Sequence, residues 1–172
     1  MVLGGSGAAS FVKTIIMKPL VIPLVDRKII FTEVNLTFYE CEKNIHLKYH
    51  NTKKLKLHKY GDKNFCKFRI DKQFYKNKGI YCYAINDTIV YVGRCINSFY
   101  KRFNAGYGHI CPRNCFTGGR PTNCRINALI EQNKASIRLG LFNMTNNNDI
   151  CALEEEILLL HGDSLIWNIQ KK

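Results

Sequence analysis

Two apolar runs with a two-residue break constrain the fold of this chain more than any other feature. Residues 80–85 and 88–92 are rich in β-branched and aromatic side chains, and Asn86 and Asp87 stand between them. Asn and Asp accept the left-handed backbone that a two-residue turn requires, so the pattern predicts a β-hairpin. The rest of the domain is therefore expected to pack around an antiparallel pair of strands.

The chain after the hairpin predicts helices with one more strand. Asn97 and Ser98 can cap a short helix that ends near residue 104, because both side chains accept hydrogen bonds from a first helical turn. The later elements follow in order: a helix from Thr122-Asn123, a strand over residues 136–142 and a helix over residues 150–161. The order β-β-α-α-β-α predicts an α+β fold class.

The chain before the hairpin predicts mainly strands. Residues 29–38 are rich in β-branched and aromatic side chains and predict one or two strands. Residues 54–57 and 66–70 alternate charged and apolar side chains with period two, which is typical of strands with one buried and one wet face. We therefore expect a β-rich extension in front of the hairpin.

Positive charge is concentrated in that extension. The chain of 172 residues carries 26 Lys or Arg against 13 Asp or Glu, a formal net charge of +13. Residues 43–78 hold 12 of these bases and only two acids. This balance indicates a polyanionic partner, either nucleic acid or an acidic membrane surface. Candidate phosphate contacts are Lys53, Lys54, Lys56 and Lys59, and the alternative is an edge sheet that its lysines keep soluble.

The sequence contains no stretch that predicts a membrane span. The longest apolar run, near residues 21–25, is interrupted by Pro23 and Asp26, whereas a spanning helix needs about 20 apolar residues. We expect a cytoplasmic, bacterial protein without a membrane partner. Its eight cysteines are expected to be reduced thiols, and the Gly-rich residues 1–10 to be a flexible lead.

Five elements of the second half form one ordered pattern. They are the triplet Gly79-Ile80-Tyr81, the triplet Tyr91-Val92-Gly93 nine residues later, Arg102, Glu156 and Asn168. This pattern resembles the GIY-YIG nuclease family, and its ending is most like the type II restriction endonuclease branch. The resemblance covers about residues 79–169 and implies a small central sheet flanked by helices. On this basis the chain divides into a lead (residues 1–10), a basic β-rich DNA-binding extension (residues 11–78) and a catalytic module (residues 79–172).

The resemblance implies a role for each matched residue. Tyr81 would help to activate a water as general base, and Tyr91 would line the same pocket. Arg94 and Arg102 would supply positive charge, with Arg102 the better candidate for a phosphate contact. Glu156 would hold one divalent ion per active site, Mg²⁺ or Mn²⁺.

Three of these assignments have alternatives. Glu154 and Glu156 both flank the buried stripe of their helix and could both reach a cleft, and the spacing to Asn168 favours Glu156. Family members commonly carry His or Tyr four residues after the helix Arg, a position that Gly106 occupies here. Tyr107 or His109 could supply that group, and Tyr107 is favoured. Asn168 is expected to anchor the chain end beside the site rather than to take part in chemistry.

The Gly- and Pro-rich loop over residues 106–121 is long enough to suggest a function of its own. Polar side chains in this loop and just after it are candidate contacts to DNA bases: Arg113, Asn114, Arg120, Asn123 and Arg125. The alternative is a polar surface loop with helix caps. A structural zinc site is not favoured, because His109, Cys111, Cys115 and Cys124 lack the compact spacing of zinc ligands.

The sequence as a whole predicts a metal-dependent DNA endonuclease acting on double-stranded DNA, of the type II restriction class. One active site cuts one strand, so double-strand cleavage predicts a homodimer or higher assembly. The alternatives are a relative that serves repair, recombination or homing, and a basic nucleic-acid-binding protein that has lost catalysis. The presence of Tyr81, Arg102 and Glu156 together argues against the last.

Overall fold

The computed structural model describes residues 17–169, so the flexible lead predicted over residues 1–10 lies outside the described residues. Within this range the chain has a mixed α+β fold with small antiparallel sheets and three α-helices. The strands are β1 (Val21–Pro23), β2 (Lys28–Ile30), β3 (Thr32–Val34), β4 (Thr37–Glu42), β5 (Phe65–Arg69), β6 (Gly79–Ile85), β7 (Thr88–Cys95) and β8 (Ile137–Asn143). The helices are α1 (Phe99–Lys101), α2 (Pro121–Gln132) and α3 (Asn147–His161), and α1 continues directly into a π-helical segment, Arg102–Tyr107. Shorter 3₁₀ turns lie at Ile45–Lys48, Lys72–Lys76 and Pro112–Cys115.

The hairpin predicted from the sequence is confirmed and forms one edge of the largest sheet. Strands β6 and β7 pair antiparallel, and Asn86 in the turn has a positive φ of 52°. The order in this sheet is β3-β8-β6-β7, with antiparallel pairing throughout. Strand β7 is therefore an edge strand, while β6 is paired on both sides.

Both faces of β6 are buried, which explains why its sequence is apolar throughout rather than alternating. Tyr81 and Tyr83 pack on one face, in a core with Phe99 and Phe103 of the α1 region. Ile80, Cys82 and Ala84 pack on the opposite face, in a core with the buried side of α3: Ile150, Leu153 and Ile157. The sheet thus separates two helical layers.

Most of the predicted elements are confirmed within one or two residues. Ser98 caps α1 by accepting a hydrogen bond from the Lys101 N–H, and Asn146 caps α3 in the same way. The strand predicted over residues 66–70 is β5, and residues 29–38 contain β2, β3 and the start of β4. Among the helices of residues 17–169, none has both the length and the apolar character needed to cross a bilayer.

The strand predicted over residues 54–57 is wrong. Lys54 has a positive φ of 50°, which breaks an extended run. Only Leu57 pairs, through an isolated antiparallel bridge to Phe116. Leu55 instead packs against a small third core beneath the loop that follows the π-helical segment. Alternation of Lys and Leu at this point therefore marks an irregular segment fixed by side-chain packing.

The boundary expected between residues 78 and 79 does not separate two cores. Strand β3 pairs with β8 in the central sheet, and Phe68 and Ile70 of the extension share a core with Tyr81. A buried Arg138 also joins the two parts through hydrogen bonds to the side chains of Glu33 and Asp87. Over the described residues, the basic extension and the predicted catalytic module therefore pack as one unit.

Candidate active site

Four tyrosines form a buried cluster on the face of the sheet that α1 and α2 cover. Tyr81 and Tyr83 come from β6, Tyr91 from β7, and Tyr107 from the end of the π-helical segment. The Tyr107 hydroxyl oxygen lies 2.9 Å from that of Tyr81 and 3.4 Å from that of Tyr91. Three phenols therefore form one hydrogen-bonded chain with Tyr107 in the middle.

The π-helical geometry explains how Tyr107 reaches the cluster. An α-helix brings residue i+4 over residue i, whereas a π-helix accommodates one extra residue per turn and brings residue i+5 there. The Gly108 N–H donates to the Phe103 carbonyl at 2.6 Å, five residues back. Tyr107, five residues after Arg102, thus takes the place of a residue four later in an α-helix. His109 is exposed and does not join the cluster.

Asn127 of α2 holds the backbone of Tyr107 in place. Its side-chain amide donates to the carbonyls of Tyr107 and Cys66, and its oxygen accepts from the Cys66 N–H at 2.8 Å. Asn104 makes a matching pair of bonds to the backbone of Ile70. The basic extension therefore positions the site through backbone hydrogen bonds. Sequence reasoning missed Asn127, although an Asn on the apolar face of a predicted helix was the available signal.

Gly93, the last residue of the second triplet, leaves room for the tyrosines. A Cβ atom at this position would lie 2.6 Å from Cζ of Tyr81 and 3.0 Å from Cε1 of Tyr91. Both rings are buried and packed, so they have little freedom to move. The hydroxyl end of Tyr81 therefore lies directly against the backbone of the edge strand.

Burial controls the charge state of these phenols. Desolvation raises the pKa of Tyr81 well above its usual value, and Tyr107 and Tyr91 raise it further while the Arg102 charge opposes the shift. Burial likewise raises the pKa of Tyr91. Both phenols are neutral at physiological pH, so Tyr81 is a hydrogen-bonding group in this state. A general-base role in which Tyr81 is ionised would need further positive charge close to its oxygen.

Arg102 lies between the tyrosine cluster and the edge of the sheet. Its guanidinium carbon is 6.0 Å from the centre of the Tyr107 ring, and its Nη2 donates to the Arg94 carbonyl at 3.4 Å. The side chain of Arg94 points to the opposite face of the sheet, where it pairs with Glu154 at 2.9 Å. The site therefore spans the open edge of β7.

The structure places the two candidate carboxylates, Glu154 and Glu156, beside different partners. Glu154 and Glu156 flank the buried stripe of α3 on opposite sides, as the sequence predicts, but only one side faces the edge of β7. Glu154 pairs with Arg94, whereas Glu156 pairs with Arg27 at 2.7 Å in the loop between β1 and β2. Glu154 is therefore the carboxylate beside Arg94, whereas Glu156 faces the loop between β1 and β2. The role that the spacing to Asn168 gave to Glu156 stays a prediction, and Glu154 has the position closer to Arg94.

The end of the chain covers part of the β7 edge. The Trp167 N–H donates to the Val90 carbonyl at 2.8 Å, and Asn168 exchanges two hydrogen bonds with the backbone of Val92. In the described residues this cover stops before Arg94, where a cleft opens that Arg94, Glu154 and Asn168 help to line. Asn168 thus has the geometry of an anchor for the chain end.

Glu154 is the partly buried carboxylate at this cleft that could hold a divalent cation. Among residues 17–169, no three His, Cys, Asp or Glu side chains are gathered to hold a metal. Burial raises the pKa of Glu154, and Arg94 only partly opposes this shift. A desolvated carboxylate beside a cleft gains from an added cation, and Mg²⁺ accepts few protein ligands when waters and phosphate oxygens complete its shell.

The residues considered for zinc are arranged differently. Cys115 and Cys124 are buried, and the Cys124 thiol donates to the Asn114 carbonyl at 3.5 Å. The neighbouring Cys124 thiol lowers the pKa of Cys115. Cys111 and His109 are exposed. The pair of buried thiols holds the loop turn at Pro112–Cys115 against α2.

The predicted DNA contacts of the extension and of the loop lie side by side. Lys53, Lys54, Lys56 and Lys59 are exposed. The Thr117 N–H donates to the Lys56 carbonyl at 2.8 Å, and the His58 N–H donates to the Cys115 carbonyl at 3.1 Å. Arg113 stacks over Tyr49, and the Asn114 carbonyl accepts from the ring of His58. Two segments that are separate in the sequence therefore pack against each other, with the four lysines exposed beside the loop.

Two of the residues proposed to read bases have structural partners instead. Asn123 is buried and donates to the Gly106 carbonyl at 3.3 Å. Arg125 donates to the Trp167 carbonyl at 2.6 Å and so ties α2 to the end of the chain. Arg120, by contrast, is exposed at the start of α2. Base reading by Asn123 and Arg125 does not fit these positions.

Comparison with known proteins found no match for this chain. No family model matches the chain, and no match was found among curated proteins or among solved structures. The functional assignment therefore rests on the residue pattern and on the geometry of the site.

Proposed function

We propose that this protein is a metal-dependent DNA endonuclease with a fold and site of the GIY-YIG type. One observation carries the proposal: a chain of three buried tyrosine hydroxyls lies against the edge strand beside Arg102, and a desolvated carboxylate, Glu154, lies around the same edge. Hydroxyl donors, a guanidinium and one carboxylate at an open cleft suit chemistry on a phosphate.

Hydrolysis of a phosphodiester makes three demands on a site. A water must be aligned and lose a proton, the charge that builds up on the phosphate must be offset, and the leaving 3′ oxygen must be stabilised. Arg102 meets the second demand, because a guanidinium fork fits two phosphate oxygens. Arg94 contributes indirectly, since it holds Glu154 at 2.9 Å.

The tyrosines meet the first demand as neutral phenols. Tyr81 aligns the attacking water and accepts its proton, while its own hydroxyl proton passes to Tyr107 and from there to Tyr91. Tyr91 is 9% exposed, against 1% for Tyr81 and 2% for Tyr107, so the proton leaves to solvent at Tyr91. A relay of this kind needs no standing phenolate, which burial disfavours here.

Glu154 would hold the divalent cation, Mg²⁺ or Mn²⁺, one per active site. When bound, such an ion supplies Lewis-acid polarisation of the phosphate and stabilises a leaving oxygen. The resemblance described above favours a sequence-specific type II restriction enzyme acting on double-stranded DNA in the cytoplasm of a bacterium. Cleavage of both strands would require a homodimer or sequential nicking, because each chain carries one such site.

Supercoiled plasmid DNA gives a direct test of this function. Purified protein with Mg²⁺ should nick or linearise the plasmid, excess EDTA should stop the reaction, and Arg102→Ala should lose activity by about 100-fold or more. Discrete fragments from a long duplex would support restriction, whereas cutting confined to branched or damaged DNA would support a repair role. Absence of cleavage on every DNA tried, with either Mg²⁺ or Mn²⁺, would refute the nuclease proposal.

A further inference from the structure

Two adjoining depressions meet beside Arg102 and together form a groove lined by positive charge. One is lined by Lys101, Arg102 and Arg120, and the other by Lys76, Lys78 and Lys101. They also share residues 96–98, so the surface is continuous from Lys76 to Arg120. We call this surface the basic groove, defined by Lys76, Lys78, Lys101, Arg102 and Arg120.

The basic groove has no acidic counterpart among its lining residues. Of the described residues that line either depression, none is Asp or Glu. Within residues 17–169, none of its five cations forms a salt bridge either, whereas Arg94 is paired with Glu154. Unpaired cations along one groove leave a positive potential that attracts a polyanion.

The walls of the basic groove are fixed by hydrogen bonds. The Ser98 hydroxyl donates to the Tyr75 carbonyl at 2.6 Å, and the Phe99 N–H donates to the Asn77 carbonyl at 2.8 Å. These bonds tie the 3₁₀ turn Lys72–Lys76 to the start of α1. The Lys101 ammonium also lies 5.2 Å from the centre of the Tyr75 ring. The cations are therefore presented on a held surface rather than on a free loop.

The surface on the other side of Arg94 carries the opposite charge. The cleft at the end of α3 is lined by Glu154, Glu155 and Asp163. Without a bound cation this cleft repels a nucleic-acid backbone, whereas the basic groove attracts it, and the two surfaces meet at Arg94 and Arg102. The charge distribution thus defines one direction of approach to the site.

We propose that the basic groove is the track that binds the phosphate backbone of the nucleic acid next to the bond that is cut. This inference rests on the proposed function only for the identity of the polyanion. It selects Lys76 and Lys101, which the sequence pattern did not single out, in preference to the exposed Lys53 and Lys54. The second pair lies on the irregular segment beside the loop and lines neither depression.

Two double variants with equal loss of charge test the track. Lys76→Ala with Lys101→Ala removes two cations from the groove, and Lys53→Ala with Lys54→Ala removes two from outside it. Binding of a fluorescent 30-base-pair duplex is measured by anisotropy in EDTA over a series of NaCl concentrations. Each lost phosphate contact lowers the slope of log K against log[salt] by about 0.9. For the groove variant, the magnitude of this slope should fall by about 2, and binding at 0.1 M salt should be about tenfold weaker.

The control variant should keep most of its slope and bind within about twofold of the unmodified protein. Equal losses in both variants would show an effect of net charge alone and would overturn the track. Failure of the unmodified protein to bind duplex DNA would overturn it as well. Normal binding that depends on the groove, with no cleavage in Mg²⁺, would leave the track in place and refute the nuclease function. Equal thermal unfolding midpoints for both variants show that the comparison is between folded proteins.

Discussion

Tyr83 is the one member of the tyrosine cluster whose hydroxyl has no hydrogen-bond partner within the described residues. It is fully buried, and its ring packs 6.1 Å from Tyr91 and 6.3 Å from Trp167, centre to centre. A buried hydroxyl without a partner costs free energy, whereas a partnered one adds a little. Tyr81 and Tyr83, two residues apart on one strand, therefore differ in what their oxygen atoms contribute.

This difference predicts opposite effects of the same substitution. Tyr83→Phe should raise the free energy of unfolding by about 1 kcal/mol, because it removes an unsatisfied buried group. Tyr81→Phe should lower it by about 1 kcal/mol, because it breaks the bond to Tyr107. Urea denaturation followed by fluorescence measures both. A marked loss of stability in Tyr83→Phe would mean that its hydroxyl has a partner.

Two glycines near the site, Gly93 and Gly106, allow a second pair of matched substitutions. Gly93→Ala would place a methyl group against Tyr81 and Tyr91, whereas at Gly106 the nearest neighbouring atom is 3.9 Å from an added Cβ. We expect Gly93→Ala to lose about 1–3 kcal/mol of stability and to abolish cleavage, since the rings must move. Gly106→Ala should be close to neutral in both measurements. Full activity of Gly93→Ala would contradict the placement of the tyrosine hydroxyls at the edge strand.

Single residues also show which placements the sequence predicted and which it left open. The resemblance predicted that Tyr81, Tyr91 and Arg102 share one site, and the structure brings them to the same face of the sheet, while their roles stay a prediction. Glu154 could not be separated from Glu156, because the choice depends on which flank of α3 faces β7. Helical periodicity gives the two flanks but not the orientation of the helix on the sheet.

The π-helical segment is the element whose backbone differs from that of a regular α-helix, and it shapes this site. It allows the chain to carry one more residue between Arg102 and Tyr107 and still present both on the same side. It is held by two hydrogen bonds between the Asn104 side chain and the Ile70 backbone, one accepted and one donated by Asn104, and by one that Asn127 donates to the Tyr107 carbonyl. The only hint of the π-helical segment in the sequence is that the tyrosine comes five residues after Arg102 rather than four. A π-turn depends on the contacts around it, so the local sequence does not predict it.

Deletion of Ala105 tests the role of this segment. Ala105 is exposed and lies inside the π-turn, so its removal should convert the turn to α-helix and leave the tyrosine four residues after the arginine. We expect this deletion variant to fold and to keep most of its activity, whereas Tyr107→Phe should lose activity. Loss of the folded state on deletion, seen by circular dichroism, would contradict the view that the extra residue is absorbed locally.

Elements with a local signal were predicted well, and elements that depend on distant partners were not. The β6–β7 hairpin and the caps at Ser98 and Asn146 are encoded within a few residues. The segment around Lys54 looked like a strand but follows the loop near Phe116, a partner some sixty positions away. Alternation alone cannot tell an unpaired segment from a paired one.

At the scale of the whole molecule, the basic extension and the rest of the chain share one sheet and one core. The charged side chains of residues 17–169 therefore lie on one molecule, with an acidic cleft at the end of α3 and a basic groove beside α1. The positive net charge of the sequence predicted a negatively charged partner. The direction of approach required the fold, since Lys76, Lys101 and Arg120 come from three separate segments.

Buried acidic groups predict how stability depends on pH. Burial raises the pKa of the Cys66 thiol to about 12, and it also raises the pKa of Cys82 and of Tyr81. In the unfolded chain these groups ionise at their ordinary values, so the unfolded state binds fewer protons than the native state above about pH 8.5. The free energy of unfolding should therefore be constant near neutrality and fall as the pH rises above about 9.

Urea denaturation at pH 7.5 and pH 10 checks this dependence. Each thiol that stays neutral only in the native state contributes a loss of about 1.4 kcal/mol per pH unit between its two pKa values. Cys66→Ala should show a shallower fall than the unmodified protein. Stability that rises between these two pH values would contradict the burial of these groups.

In the proposed function, Glu154 forms a site with Arg102 and the tyrosine chain that cleaves DNA with a divalent cation. The most direct measurement is plasmid cleavage in Mg²⁺ by Glu154→Gln and by Glu156→Gln, two variants with the same chemistry two residues apart on one helix. Glu154→Gln should bind duplex DNA in EDTA normally and lose cleavage by about 100-fold or more, whereas Glu156→Gln should lose only a surface ion pair and cut at nearly the unmodified rate. Loss of cleavage in Glu156→Gln with activity retained in Glu154→Gln would contradict this account.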